Sequence, residues 1–224
     1  MKIKLNISFL IISFFLILSL LVNRAISQQS EKKKNLDDRV QKFLESRRGT
    51  WRDMNVPASD GKILYDIIIK NKYKKALEIG TSTGHSAIWI AWALSKTGGK
   101  LITIEIDEDR YNEAVANFKE AGLSNYIDAR LADAHKLVKE LTGPFDFVFC
   151  DADKYWYKNY FIDVFPKLEV DGCYTAHNVS DRRWGWRRGG TGEFYDYIKD
   201  LPGLETTVDN SGGGISISYK KSDK

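Results

Sequence analysis

Short apolar runs alternate with helical patterns over most of the chain. Runs of β type fall at 75–79 (KALEI), 101–106 (LITIEI), 126–131 (YIDARL), 145–150 (FDFVFC) and 172–176 (GCYTA). Between them, apolar residues recur at helical spacing over 85–96, 108–121, 134–141 and 155–165. Parallel neighbours need a crossover between them, so this alternation predicts βαβ units and a parallel sheet. One further helix follows residue 190. LETTVD and GISISY then flank the glycine-rich NSGGG, too close for a crossover, and predict an antiparallel hairpin. The expected fold is α/β: seven strands, mostly parallel with the last reversed, and helices on both faces.

Ahead of the alternation, Ile63, Leu64, Ile67 and Ile68 mark one face of a helix over 60–71, with Ser59 as its N-cap. GTWRDMNVPAS reads as a loop, and Val40, Phe43 and Leu44 suggest a short helix over 36–48. Before that lies a charged linker, SEKKKNLDDRV. The first residues carry Lys2 and Lys4, then an uncharged run from Ile7 to Val22, then AIS before Gln28. Small residues at Ala25 and Ser27 suit a signal peptidase, which gives a cleaved signal peptide and export. Against this, the run is long for a signal peptide, and Arg24, Lys32, Lys33 and Lys34 behind it would hold a membrane-anchored domain on the cytoplasmic side. Both readings stand. The expected division is 1–27 signal peptide or anchor, 28–50 linker and short helix, and 51–224 a single domain.

Charge changes little. The 224 residues carry a net +4, of which Lys2, Lys4 and Arg24 supply three, leaving +1 from Gln28 onward. That is no footprint for nucleic acid. Two cysteines, Cys150 and Cys173, sit in strand-like runs without zinc-type spacing and are expected to be buried thiols.

In open α/β sheets, ligands bind beyond the carboxyl ends of the strands. Those ends here read Glu78-Ile79-Gly80, Glu105, Asp133, Asp151-Ala152-Asp153-Lys154 and His177-Asn178. Gly80 and Gly84 have a GxxxG spacing rather than the GxGxxG of dinucleotide sites. Glu78 beside that turn would repel a pyrophosphate but attract an amino group, and Glu105 is placed to accept from ribose hydroxyls. A nucleoside that carries an amino acid and no phosphate meets both demands, and S-adenosylmethionine is one. A nicotinamide-dependent oxidoreductase is disfavoured by the GxxxG spacing and by Glu78.

From about Trp51 onward the chain resembles the metal-dependent catechol and caffeoyl-CoA type O-methyltransferases. MNVPASDGKIL, LEIGTSTGHSA, ITIEID, DADKYWYKNY and AHNVS carry the resemblance, in the family's order and spacing. It implies a Rossmann-like seven-stranded sheet and methyl transfer from S-adenosylmethionine to a hydroxyl of a small, catechol-like acceptor. It further implies that Met54 and Val56 flank the cofactor and that Glu78 and Gly80 hold its methionine part. Ser86 would meet its carboxylate end, Glu105 the ribose, and Asp133 and Ala134 the adenine, with Asp151 also beside the cofactor. Lys154 would be the base, and Asp151 and Asn178 ligands of a divalent metal. A homodimer suits the resemblance.

One position departs from the pattern. His177 stands where the family has aspartate, and an imidazole suits zinc or cobalt better than magnesium, with manganese between. Three readings follow: His177 as a ligand for a more borderline metal, His177 as a base without metal, or a site without chemistry. The last would make the chain a membrane-tethered nucleoside-binding protein that does not turn over. Read alone, Lys154 suits a helix-capping ion pair with Asp151 or Asp153; within the five segments, the catalytic reading is preferred. After Lys154, Trp156, Tyr160, Phe161, Val164 and Phe165 lie at core spacing, while Tyr155 and Tyr157 are free to face a pocket. DRRWGWRR, directly after the fifth parallel strand, reads as a lid whose arginines and tryptophans meet the acceptor. His85 and His135 read as ordinary loop histidines.

Overall fold

The computed structural model describes residues 7–51, 54–181 and 189–223. One sheet contains β1 (Lys75–Ile79), β2 (Lys100–Glu105), β3 (Ile127–Leu131), β4 (Phe145–Cys150), β5 (Leu168–His177), β6 (Leu204–Asp209) and β7 (Ile215–Lys220). Their order is β3-β2-β1-β4-β5-β7-β6, and β7 alone runs against the other six. This is the expected architecture. β5 begins at Leu168 rather than Gly172. The early part was hidden because Glu169, Val170 and Asp171 are exposed and a β-bulge interrupts the pairing with β4.

Helices α1 (Ile7–Ser46), α2 (Ala58–Asn71), α3 (His85–Thr97), α4 (Glu108–Ala121), α5 (Ala134–Glu140), α6 (Tyr157–Val164) and α7 (Gly190–Ile198) complete the fold. The inner strands bury both faces, and their residues divide by parity. Phe147 and Phe149 join Leu64, Ile68, Ile88 and Phe118 on one side. Val148 and Cys150 join Tyr157, Tyr160, Phe161 and Phe194 on the other. Both cysteines are buried free thiols, and burial pushes that of Cys150 up to about 12.

Two expectations about the chain before β1 are corrected. The linker and short helix are one continuous α1 with no break at 28–35. No glycine or proline occurs before Gly49, and Glu, Lys, Gln and Arg are good helix formers, so the charged stretch carries the helix on. Its last turns dock on the domain: Val40 and Phe43 are buried, and Arg39 donates to the carbonyls of Lys119 and Glu120 at the end of α4. Ser59 does not cap α2, which starts at Ala58 after Pro57. Among the described residues no helix is long and apolar enough to cross a membrane. Most side chains of the run from Ile7 to Val22, on which the signal-peptide and anchor readings rest, lie outside the described set.

The chain goes outward from β1 through β2 to β3 and then returns to β4 on the other side of β1. The strand order therefore reverses between β1 and β4, and it is beyond the carboxyl ends at such a reversal that open α/β sheets bind ligands.

Candidate active site

Gly80 and Asp151 face each other across that reversal. A Cβ on Gly80 would lie 2.6 Å from the Asp151 carbonyl oxygen, and its φ of 94° is one that side chains rarely adopt. Glycine here lets the β1 turn fold tightly against the end of β4. The turn continues through Ser82 (φ 48°) to Gly84, where α3 begins. Asn55 donates to the Thr83 hydroxyl at 2.9 Å and Asn117 to the Thr83 carbonyl at 2.9 Å, which fixes the turn from two sides. Val56 is buried beside it, while Met54 is exposed.

Glu78 is fully buried beneath this turn. Its Oε2 accepts from the Thr103 hydroxyl at 2.5 Å, and its Oε1 has no hydrogen-bond partner among the described residues. Burial pushes the carboxyl up to about 8, against the Ser86 and Thr103 hydroxyls, which favour the charged form. An orphaned acceptor at this depth marks a place that lacks a donor. An ammonium group would satisfy it.

Glu105, at the end of β2, is 6% exposed. Its Oε2 accepts from the Ser82 amide at 2.7 Å, and its Oε1 accepts from the amides of Ile106 and Asp107, each at 3.0 Å. One carboxylate thus ties the β1 turn to the β2 turn, and its unused lone pairs suit ribose hydroxyls. Asp133 caps α5 by accepting from the His135 amide at 2.9 Å, and Ala134 follows it, nearly buried. Replacing Glu105 with glutamine is expected to weaken S-adenosylhomocysteine binding by about ten- to a hundredfold, since hydrogen bonds to a charged group contribute about 1.5–3 kcal/mol. Titration calorimetry measures this directly.

Beyond β4, Lys154 donates to Asp151 Oδ1 and to the Tyr157 hydroxyl at 2.7 Å. Tyr157 is fully buried, and its hydroxyl also lies 3.3 Å from Asp151 Oδ1. The phenol therefore accepts from Lys154 and donates to the carboxylate. Burial and the Asp151 charge push it well above its ordinary range, so it stays a phenol. Tyr155, by contrast, is exposed.

His177 closes the other side of Asp151. Its Nδ1 is 3.0 Å from Asp151 Oδ2, and its Nε2 is 2.9 Å from Asp60 Oδ2. Asp60, in the first turn of α2, is 0% exposed and also accepts from the Gly213 amide at 2.8 Å. Burial opposes charge on the ring, yet the two carboxylates raise His177 to about 9. Burial would likewise raise Asp60, but the bonds from His177 and Gly213 outweigh it and hold the carboxyl below its usual range. The glycines of NSGGG have a second role here. A side chain at Gly212 would collide with Asp60, and one at Gly213 with His177.

The divalent cation that the resemblance implies does not fit these donors. A metal ligand must offer a lone pair, and imidazole ligates as a neutral ring. Carboxylates only accept, so both ring nitrogens of His177 must carry protons. Asp151 spends one oxygen on His177 and the other on Lys154. Two carboxylates already face two cations. Among the described residues no group of three or more His, Cys, Asp or Glu is arranged to hold a metal. Asn178, half-buried with φ 56°, turns the chain out of β5. His177 is equally unsuited to be a base, because neither nitrogen is open.

Of the residues singled out from sequence, Glu78, Gly80, Ser86 and Glu105 gather around the β1 and β2 turns, and Asp151, Lys154 and His177 form a second, connected group. Asp60 joins this second group through His177 and is absent from the strand-end reading. Its signal was available: it falls on the same helical face as Leu64, Ile67 and Ile68, and a charge on an apolar face needs a partner. His135 lies between Asp133 and Asp153, with its ring over Trp156. His85 is buried, its Nδ1 2.8 Å from the Val56 carbonyl and its Nε2 accepting from Trp89 at 3.1 Å. It forms part of the wall of a cavity of about 960 Å³, which is lined by Trp51, Tyr65, Trp89 and Trp92 and is separate from the acids at the strand ends. Arg182 to Arg188, the bulk of the expected lid, lie outside the described residues.

The sheet order defines a Rossmann-like α/β protein with acids gathered at its reversal. The model of the O-methyltransferase family matches residues 27–180, and the chain belongs to that family. It is 40% identical over 112 residues to a catechol O-methyltransferase of Niastella koreensis, covering 48% of this chain and 50% of that one. A caffeoyl-CoA O-methyltransferase of Stellaria longipes is 32% identical over 131 residues, covering 56% and 53%. The chain thus spans about half the length of these curated relatives. The crystal structure of a Bacillus cereus O-methyltransferase in complex with SAH superposes with a TM-score of 0.70 at 25% identity, covering 82% of this chain and 91% of that one.

Proposed function

We propose that this chain transfers a methyl group from S-adenosylmethionine to a hydroxyl of a small aromatic acceptor, of the catechol type named for its relatives. The observation that carries the reading is Lys154, held by Asp151 and Tyr157 after β4, at the same carboxyl edge of the sheet as the Glu78 and Glu105 turns. The cofactor supplies a methyl group activated on a sulfonium. Glu78 pairs with its amino group and Glu105 with its ribose, which sets the direction in which the methyl group faces. Lys154 uses two of its three Nζ positions on Asp151 and Tyr157. Once the ammonium has released its third proton to solvent, that position takes the acceptor's proton and then, as N–H, holds the developing oxyanion. Holding both reactants aligned can remove about 7–11 kcal/mol of barrier.

The test begins with binding of S-adenosylhomocysteine and NAD to the full chain, followed by transfer of labelled methyl to a panel of catechols. Binding of S-adenosylhomocysteine with methyl transfer supports the reading. Binding without transfer to any catechol favours the non-catalytic nucleoside binder, and preference for NAD overturns both.

Glu78 gives an independent prediction. With its carboxyl near 8, it is largely protonated at pH 7 in the free protein. An ammonium against Oε1 favours the charged form, so S-adenosylhomocysteine binding at pH 7 should release close to one proton. Calorimetry in buffers of different ionisation enthalpy reads this number. Glu78→Gln should abolish the release.

A further inference from the structure

The disagreement between the donor set and a divalent cation has a positive form. We propose that the Asp60–His177–Asp151 bridge takes the metal's place. In this reading His177, with an N–H fixed to each carboxylate, is a built-in cation that positions Asp151 and through it Lys154, and methyl transfer proceeds without a resident divalent ion. The inference rests on the function proposed above, but its main test does not depend on turnover.

Three observations carry it. Both ring nitrogens are spent on carboxylate oxygens, Nε2 on Asp60 at 2.9 Å and Nδ1 on Asp151 at 3.0 Å, with Asp60 reaching across from the first turn of α2. The surroundings are shaped for the bridge: Gly212 and Gly213 leave the space a side chain would fill, and the Gly213 amide supplies a further donor to Asp60. Formal charge also balances, since Asp60 and Asp151 are matched by His177 and Lys154. A dication added to this buried group would carry two uncompensated charges, a costly arrangement.

The substitution is chemically coherent. A metal would fix Asp151 and place positive charge near the acceptor oxygen. The imidazolium fixes the same carboxylate from one side, and Lys154 engages its other oxygen. His177 is thus a positioning residue, and its ring need not touch either substrate.

The chain has only three histidines, so ring nitrogens labelled with ¹⁵N can be assigned through His135→Gln, a substitution away from the bridge. Long-range ¹H–¹⁵N spectra of the full chain, with and without S-adenosylhomocysteine, would be recorded before and after one equivalent of Mn²⁺. The expected spectrum shows protons on both nitrogens of His177, whereas His85 is a neutral ring with its proton on Nδ1. Mn²⁺ should leave the His177 signals unbroadened. A bare His177 nitrogen, or selective loss of its signals with Mn²⁺, would overturn the proposal even if no acceptor is ever found. Once turnover is established, chelator should change the rate by less than about twofold, whereas loss of a Lewis acid worth several kcal/mol removes about a hundredfold or more. Failure to bind S-adenosylhomocysteine, with the His177 spectrum as expected, would count against the proposed function and leave the bridge intact.

Discussion

Replacing Lys154 with methionine is expected to lower the rate of methyl transfer by about a hundred- to ten-thousandfold, the range spanned by positioned acids and bases. Binding of S-adenosylhomocysteine should stay within about twofold, because Lys154 pairs with neither Glu78 nor Glu105, and Asp151 is still held by His177. The fold should tolerate the change: the side chain is about a third exposed, and Asp151 keeps its bond to His177. The competing view is that Lys154 only neutralises Asp151, and arginine separates the two. A guanidinium supplies the charge but does not give up its proton, so Lys154→Arg should be almost as inactive as Lys154→Met if the amine accepts a proton. Recovery of most of the rate by arginine would show that charge alone is needed. Single-turnover rates across both variants make the comparison independent of product release.

The legibility of this molecule in its sequence divides along a physical line. Strands and helices between β1 and β7 were readable because their apolar periodicity is strong and their interruptions are short. The acids at strand ends were readable for a related reason, since strand–turn–helix units put their chemistry at one predictable edge. What could not be read were contacts between residues far apart in the chain. Asp60 and His177 are separated by 117 positions, and no local pattern links them. The departure at His177 was visible as an odd residue, but its meaning depended on Asp60. With one ring nitrogen open, the histidine would have suited a borderline metal; with both taken, it does not. The glycines of NSGGG were explained as a hairpin turn, and only the fold shows that two of them also clear space for the bridge. The continuity of α1 is a different failure. A charged stretch reads as a linker, although nothing in it breaks a helix.

The bridge should also be the most sensitive point for stability. Asp60→Ala is expected to destabilise the protein by about 3–5 kcal/mol, because it strands a buried charge rather than merely deleting a contact. The sign of the pH dependence follows from the protons bound. His177 titrates near 6.5 when unfolded and near 9 when folded, so between those values the native state binds more protons. Its contribution is fully present below about pH 6.5 and is lost as pH rises through about 9. A shift of that size corresponds to roughly 3 kcal/mol, as an order of magnitude. Glu78, raised from about 4.5 to about 8, makes the free protein lose stability with rising pH over its own, lower window. Urea unfolding of the wild type should therefore show a midpoint that falls from pH 6.5 to 9. In Asp60→Ala the fall should be distinctly shallower above pH 8, where Glu78 no longer contributes. A double-mutant cycle completes the test. His177→Ala should cost much less on the Asp60→Ala background than alone, since the charge that Asp60 compensated is already gone. Additive losses with an unchanged pH slope would mean that Asp60 and His177 stabilise the fold separately, as packed side chains rather than as a pair.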